Sequence, residues 1–266
     1  MATFGKGSIQ DNIFHGRAFR ESRLRDQIGP SNPLYHLLRP LTVDMYCFRG
    51  PTGDDFDNPD FVDEGIWATG GTSTATWGAN ATGACGQLTA ASDETAGELA
   101  TLRTVDQYFY GDYRPVMLCR FGMGAAITTS KFEVGFTDGD DDNGAVNAKT
   151  TPTSTATDYA VIIRDTAHNT SVDLVTDGTT DAVEKVASSP GITFAVSTLY
   201  NFMLAIDENE CVRFWIDNVY QGRSARGPDG TVALGLFLAV GSSGAAVIRT
   251  GNVDYVRAWQ ERTDQS

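Results

Sequence analysis

Between Thr198 and Val219 the chain carries two short alternating apolar runs around a four-residue polar break, and few folds accommodate that pattern. Phe202, Leu204 and Ile206 alternate with Met203 and Ala205; Val212, Phe214 and Ile216 alternate with Arg213, Trp215 and Asp217. Successive side chains on a strand point to opposite faces, so a period of two marks strands with at least one buried face. The break, Asp207-Glu208-Asn209-Glu210, is polar and turn-forming. An antiparallel hairpin with Phe202, Leu204, Ile206, Val212, Phe214 and Ile216 facing a core is expected.

The same signal recurs through the chain. Strands are expected over 66–68, 74–77, 98–104, 114–122, 131–137, 159–164, 172–175, 192–196, 232–240, 247–249 and 253–259. The run PVMLCRF reads as a central strand, KFEVGFT alternates with Phe132, Val134 and Phe136 on one face, and VALGLFLAV is apolar throughout. The Gly/Thr/Ala-rich stretch up to Ser92 and the segment 223–230 read as turns. No amphipathic helix and no 20–50-residue repeat stands out. At 266 residues the chain is long enough for one large all-β domain or two ordinary ones.

Residues 1–50 differ. Ile13, Phe14, Phe19, Leu24 and Ile28 are spaced irregularly among charges, and Gly29-Pro30-Ser31-Asn32-Pro33 breaks the chain before the cluster Leu34, Tyr35, Leu37, Leu38. Such a segment cannot make its own core and must lie along another surface or stay mobile. Its aliphatic and aromatic residues favour an arm that orders on a partner. The chain therefore divides into an extended basic arm, 1–50, and a β-sandwich body, 51–266. Of the formal net charge of −14, the arm holds seven Lys/Arg and four Asp/Glu, net +3, which leaves 13 basic and 30 acidic residues, net −17, on the body. A body this acidic disfavours nucleic acid as a partner, since phosphate contact needs a positive surface. No apolar run is long enough for a membrane helix, and MATFGKGSIQ lacks a signal-peptide core, so synthesis and folding in a cytoplasm are expected.

Motifs of reactive chemistry are sparse. Cys47, Cys85, Cys119 and Cys211 are scattered without a CxxC pair and read as free thiols in a reduced compartment. Asp138, Asp140 and Asp142 have the spacing that opens a calcium loop, but the sixth residue is Asn143 and the twelfth Lys149, and the segment follows a strand. The helix-flanked calcium loop is excluded, and a weak Ca2+ site on a strand-to-strand loop is the most these residues support; no other cofactor is expected. Asp54, Asp55, Asp57 and Asp60 read as a solvated acidic loop. Of three histidines, His15 and His36 lie in the arm and His168 in a loop, and no GxSxG nucleophile elbow occurs. Glu208 and Glu210 are turn acids.

The hairpin YNFMLAIDENECVRFWIDN, the strand VALGLFLAV and the terminal VDYVRAW resemble the last third of concanavalin A-like (lectin/glucanase, laminin G-like) jelly rolls; KFEVGFTDG and DYAVIIRD resemble earlier strands of that fold. The similarity spans about residues 60–260 and implies an all-β, two-sheet antiparallel jelly-roll sandwich. The hydrolases of that group use a Glu-x-Asp-x-x-Glu strand, which sets nucleophile and acid on one sheet face. No Glu here is followed by Asp two residues on, so a non-enzymatic role is expected. Lectins of the group bind sugar on a sheet face or at loop tips, and that resemblance would make Trp215, Tyr255 and Trp259 the sugar platform of a carbohydrate-binding module. In organisation, a long irregular arm ahead of a sandwich resembles virion proteins of tailed bacteriophages. That resemblance implies a capsid decoration (cement) protein of the virion, assembled in the host cytoplasm as a homotrimer. Its arm, through Phe14, Arg17, Phe19, Arg20, Arg23, Arg25 and Leu37, would dock on the major capsid protein, with neither membrane nor nucleic acid as partner.

Overall fold

The two alternating runs form the expected hairpin. Strand Tyr200–Ile206 pairs antiparallel with Val212–Ile216, setting Phe202 opposite Ile216, Leu204 opposite Phe214 and Ile206 opposite Val212. All six of these side chains are buried. The turn is organised by Asp207, whose Oδ1 accepts the N–H groups of Asn209 (2.9 Å) and Cys211 (3.1 Å), while its other oxygen pairs with the Arg213 guanidinium. A short acid able to bond its own backbone two residues on is what makes this segment turn.

The computed structural model describes residues 46–47, 67–79, 85–90, 99–124, 126–139, 144–146, 156–178, 183–243 and 247–261. Its strands are β1 (Tyr46–Cys47), β2 (Trp67–Gly71), β3 (Ala75–Ala79), β4 (Gly86–Ala90), β5 (Leu99–Thr104), β6 (Phe109–Tyr110), β7 (Val116–Met123), β8 (Ser130–Thr137), β9 (Tyr159–Asp165), β10 (Val172–Asp177), β11 (Glu184–Ala187), β12 (Tyr200–Ile206), β13 (Val212–Ile216), β14 (Val219–Ser224), β15 (Ala233–Ser242) and β16 (Arg249–Trp259). The only helical piece among the described residues is a 3-10 turn at Gly111–Tyr113. Two antiparallel sheets result. The first runs β14-β13-β12-β7-β16-β4-β3 with β1 also on β16, and the second β11-β10-β9-β8-β15-β5-β2 with β6 also on β15.

The inner faces enclose one apolar core. Met117, Cys119 and Phe121 of β7 and Phe202, Leu204 and Ile206 of β12 meet Phe132, Val134 and Phe136 of β8 and Leu236, Leu238 and Val240 of β15. At one end the rings of Phe121, Phe132, Phe194 and Tyr200 pack together, with Phe194 stacked on Tyr200 at 4.5 Å and the Arg164 guanidinium 5.5 Å from the Phe194 centroid. Cys85 and Cys119 are buried free thiols, and burial pushes the Cys119 thiol far above its ordinary range.

Several elements depart from the sequence reading. Residues 86–90 form a strand, because Gly86, Leu88 and Ala90 alternate inward and the small side chains hide the period. Residues 192–196 are not a strand. Their polar backbone is met by a side chain, the Tyr200 hydroxyl accepting from Ala195 N (2.8 Å) and donating to Thr193 O (3.2 Å), while Phe194 plugs the core. Strand β14 follows β13 through Asp217 and Asn218, both at positive φ (49° and 65°), the two-residue turn that suits the twist of a hairpin. The expected strands 247–249 and 253–259 are parts of one strand, β16, whose bulge between Val253 and Tyr255 turns both Val253 and Val256 to the core. Residues 46–47, at the end of the expected arm, pair with Ala258 and Arg257 of β16.

Candidate functional site

Strands β8, β15 and β5 are neighbours in the second sheet, and β5 and β8 end, at Thr104 and Thr137, beside the start of β15. The segments leaving them wall a cleft of about 450 Å³, lined by Arg103, Val105, Asp106, Gln107, Asp138 and Gly235. A Cβ at Gly235 would stand 2.9 Å from Thr104 Oγ1, so that hydroxyl, which accepts Leu236 N, would have to shift. The walls are tied. Tyr108 donates its hydroxyl to Asp106 Oδ2 (2.8 Å), and Gln107 donates its amide to the Asp138 carbonyl. The Asp138 carboxylate accepts from Thr157 N (3.1 Å) and the Thr157 hydroxyl, and Leu236 N donates to Thr104 Oγ1 (3.1 Å).

Arg103 is the exception. Its Nε is shielded from water without a hydrogen-bond acceptor, and among the described residues its guanidinium makes no hydrogen bond or ion pair. The cleft thus offers a planar cation with free donors, two carboxylates with acceptor capacity beyond their one or two bonds, and an apolar lip at Val105, which is 50% exposed. That is the inventory for holding a polyhydroxylated ligand: acceptors for its hydroxyls, donors for its oxygens and a non-polar contact for its C–H face. Sequence reasoning missed Arg103, on β5, and Val105, Asp106 and Gln107, in the turn after it, and read Asp138 only as a cation ligand.

The sugar platform expected from sequence lies on the outer face of the first sheet, and the register sets it out in rungs. Tyr255, Arg120 and Asn201 are neighbours across β16, β7 and β12; Arg257, Leu118, Met203, Trp215 and Tyr220 follow as the next rung, then Trp259, Val116, Ala205 and Arg213. The three aromatic residues do not form one exposed surface. Trp215 is 0% exposed, packed among Val116, Met203 and Ala205 with its ring 5.7 Å from that of Tyr220, so it cannot stack on a sugar. The outer face is apolar enough here to bury its own tryptophan. Trp259 packs half-buried against the same cluster. Tyr255 is half-buried, its hydroxyl donating to Asn201 Oδ1 (3.0 Å) and its ring lying under the Arg257 guanidinium at 5.4 Å. Burial, followed by the nearby Cys119, raises its phenol above the ordinary range.

The outer face of the second sheet is covered by residues 144–146. Ala145, Val146 and Ala156 pack on Tyr159, Val161, Ile163 and Val175. Beneath them Lys131 and Glu133, both buried, form an ion pair (Nζ to Oε1, 2.8 Å). Glu133 Oε2 accepts the N–H groups of Ala145 (2.7 Å) and Val146 (3.4 Å), and Lys131 donates to the Val146 carbonyl. This pair pins the cover. Of the expected cation ligands, Asp138 uses its carboxylate on Thr157, while Asp140 and Asp142 lie outside the described residues. Among the described residues no group of three His, Cys, Asp or Glu is placed to hold a metal. The arm residues Phe14, Arg17, Phe19, Arg20, Arg23, Arg25 and Leu37 also lie outside them. Glu208 pairs with Arg114 (3.5 Å) and Glu210 accepts from Gly230 N (3.1 Å), so these turn acids hold neighbouring loops.

No family model and no curated protein matches the sequence. Solved structures do match in shape. The potassium-bound carbohydrate recognition domain of Emp46p aligns with a TM-score of 0.55 at 9% identity, over 82% of this chain and 97% of that one. The β-glucanase of Bacillus licheniformis aligns with a TM-score of 0.51 at 14% identity, over 79% and 97%. A structure from work on endo-acting O-glycanases of the human gut microbiota gives 0.53 at 10%, over 84% and 99%. At such identities the likeness establishes the architecture: the chain has the two-sheet antiparallel sandwich of concanavalin A-like lectins and glucanases.

Proposed function

We propose that this protein binds carbohydrate without turning it over, and that the strand-end cleft around Arg103, Asp106, Gln107 and Asp138 receives the sugar. The observation that carries the reading is the cleft's unpaired polar capacity, above all the guanidinium of Arg103, on a sandwich shared with a carbohydrate recognition domain. Binding is preferred to hydrolysis because the chain has no Glu-x-Asp strand, and the two carboxylates lining the cleft are each held by a hydroxyl, from Tyr108 and Thr157. The test is a glycan array probed with the full chain, followed by titration of any sugar retained. Arg103→Ala and Asp106→Asn are expected to weaken binding at least tenfold, and Trp259→Ala to leave it within about twofold. A blank array, or cleft variants that bind like the parent, would defeat the reading.

A second reading is favoured by the charge division, +3 on residues 1–50 against −17 on the remainder. It makes the chain a bacteriophage capsid decoration protein, a homotrimer in the virion, whose arm docks on the major capsid protein. Like charge on the bodies would keep particles apart. The measurement is occupancy of protein added back to particles that lack it. Deleting residues 1–45 is expected to abolish occupancy, and charge reversal at Arg17, Arg20, Arg23 and Arg25 to weaken it in a salt-dependent way. Full occupancy by the arm-deleted protein would remove this reading.

A further inference from the structure

We infer that the sugar taken by the strand-end cleft carries a carboxylate, as a uronic acid does, and that Arg103 is the fork that receives it. The inference rests on the carbohydrate-binding reading and goes past it to a ligand class. Guanidinium is charged at any working pH, presents five N–H donors in one plane and fits a carboxylate in a bidentate pair. Although the chain has 34 acidic residues, Arg103 finds no acid among the described residues, not even the two that line its own cleft. Asp106 and Asp138 line the same cleft, yet neither pairs with it, because Tyr108 and Thr157 hold their carboxylates. Arg103 stands on the outer side of β5, opposite the buried Phe237 of β15, and lines the cleft.

The two aspartates make the recognition selective. A bare anion entering the cleft meets Arg103 but also two negative neighbours, so charge alone gives little net attraction. A sugar acid avoids that conflict by orientation. Its carboxylate lies on Arg103 and its ring hydroxyls donate to Asp106 and Asp138, while the C–H face rests on Val105. A neutral sugar satisfies the aspartates and leaves the guanidinium unmet. Neither half of the ligand suffices by itself.

The experiment is titration of the full chain, followed by calorimetry or amide chemical shifts, with methyl β-D-glucuronide, methyl β-D-glucoside and sodium acetate as separate probes. The glucuronide is expected to bind about 10- to 100-fold more tightly than either of the others, the range for a hydrogen-bonded charge pair. Arg103→Ala should weaken the glucuronide at least tenfold and abolish its advantage over the glucoside, and Arg103→Lys should recover only part of that advantage. Val105→Asp, at an exposed position, should weaken the glucuronide more than the glucoside. Melting curves of each variant confirm that it is folded. Equal binding of glucuronide and glucoside, or indifference of the glucuronide to Arg103→Ala, overturns the carboxylate while leaving a sugar site. Acetate binding as tightly as the glucuronide overturns the sugar and leaves an anion site. No binding of either sugar by the folded protein overturns both this inference and the reading beneath it.

Discussion

Replacing Glu133 by alanine tests whether the buried ion pair under residues 144–146 is structural. The substitution removes a carboxylate that is 0% exposed and leaves the Lys131 ammonium, 4% exposed, with the Val146 carbonyl as its remaining described partner. Breaking a buried pair from one side costs about 3–5 kcal/mol, because an uncompensated charge stays behind. The N–H groups of Ala145 and Val146 also lose their acceptor, at about 1–3 kcal/mol each if no water replaces it. The emptied space admits water, so these terms do not add, and a total of about 4 kcal/mol is expected. At about 2–4 °C per kcal/mol for a domain of this size, the melting temperature should fall by about 8–16 °C.

The sharper test is the double variant Lys131→Met with Glu133→Leu. Both charges leave together and the apolar stems refill the space, so only the two backbone N–H donors and the Val146 carbonyl remain unmet. It should therefore be more stable than Glu133→Ala by about 1–3 kcal/mol, since a buried pair replaced by apolar residues is often neutral. Urea unfolding followed by tryptophan fluorescence measures both, and hydrogen exchange at Ala145 and Val146 should speed up in each, because the cover has lost its anchor. If Glu133→Ala lies within about 1 kcal/mol of the parent, or the double variant is less stable than it, then desolvation of the pair is not the governing term.

Three further outcomes follow from the same structure. Phe214→Ala should cost about 3–5 kcal/mol in urea unfolding, as a fully buried core aromatic; an unchanged midpoint would contradict the register. EDTA should leave the melting temperature unchanged and added calcium should not raise it, because Asn143 and Lys149 stand where a calcium loop needs Gly and Glu; a calcium-dependent rise would restore a cation site. The fold raises the Tyr255 phenol pKa, so the folded state holds that proton more tightly than the unfolded chain does. Its contribution to stability is complete below the unfolded value of about 10 and is lost as pH climbs through the folded one; alkaline unfolding of Tyr255→Phe should accordingly set in at higher pH than in the parent.

What the sequence made legible was direction. Period two set which of Phe202 to Ile216 face inward, and the structure keeps that register across the hairpin. It lost elements where the alternation was carried by small residues, as at Gly86, Leu88 and Ala90, or where a side chain took over a strand's role, as Tyr200 does for Thr193 and Ala195. The turn at Asp217-Asn218 and the strand after it were missed, although both residue types tolerate the positive φ found there.

Alternation says where a side chain points and nothing about what lies over it, and the candidate site turned on that second question. Trp215 and Glu133 both occupy outward positions by register. One is enclosed by Val116, Met203 and Ala205, the other lies beneath Ala145 and Val146, and both are wholly buried. The middle of each outer face is therefore closed at a residue that strand pattern alone would assign to solvent. Open polar capacity among the described residues shifts to where strands stop, since a strand end frees backbone and side chains from the pleat while its neighbours hold them in place. Arg103, Asp138 and Gly235 meet there from three strands that are adjacent in the sheet but far apart in the chain. No local spacing links them, so topology had to bring them together before chemistry could be read.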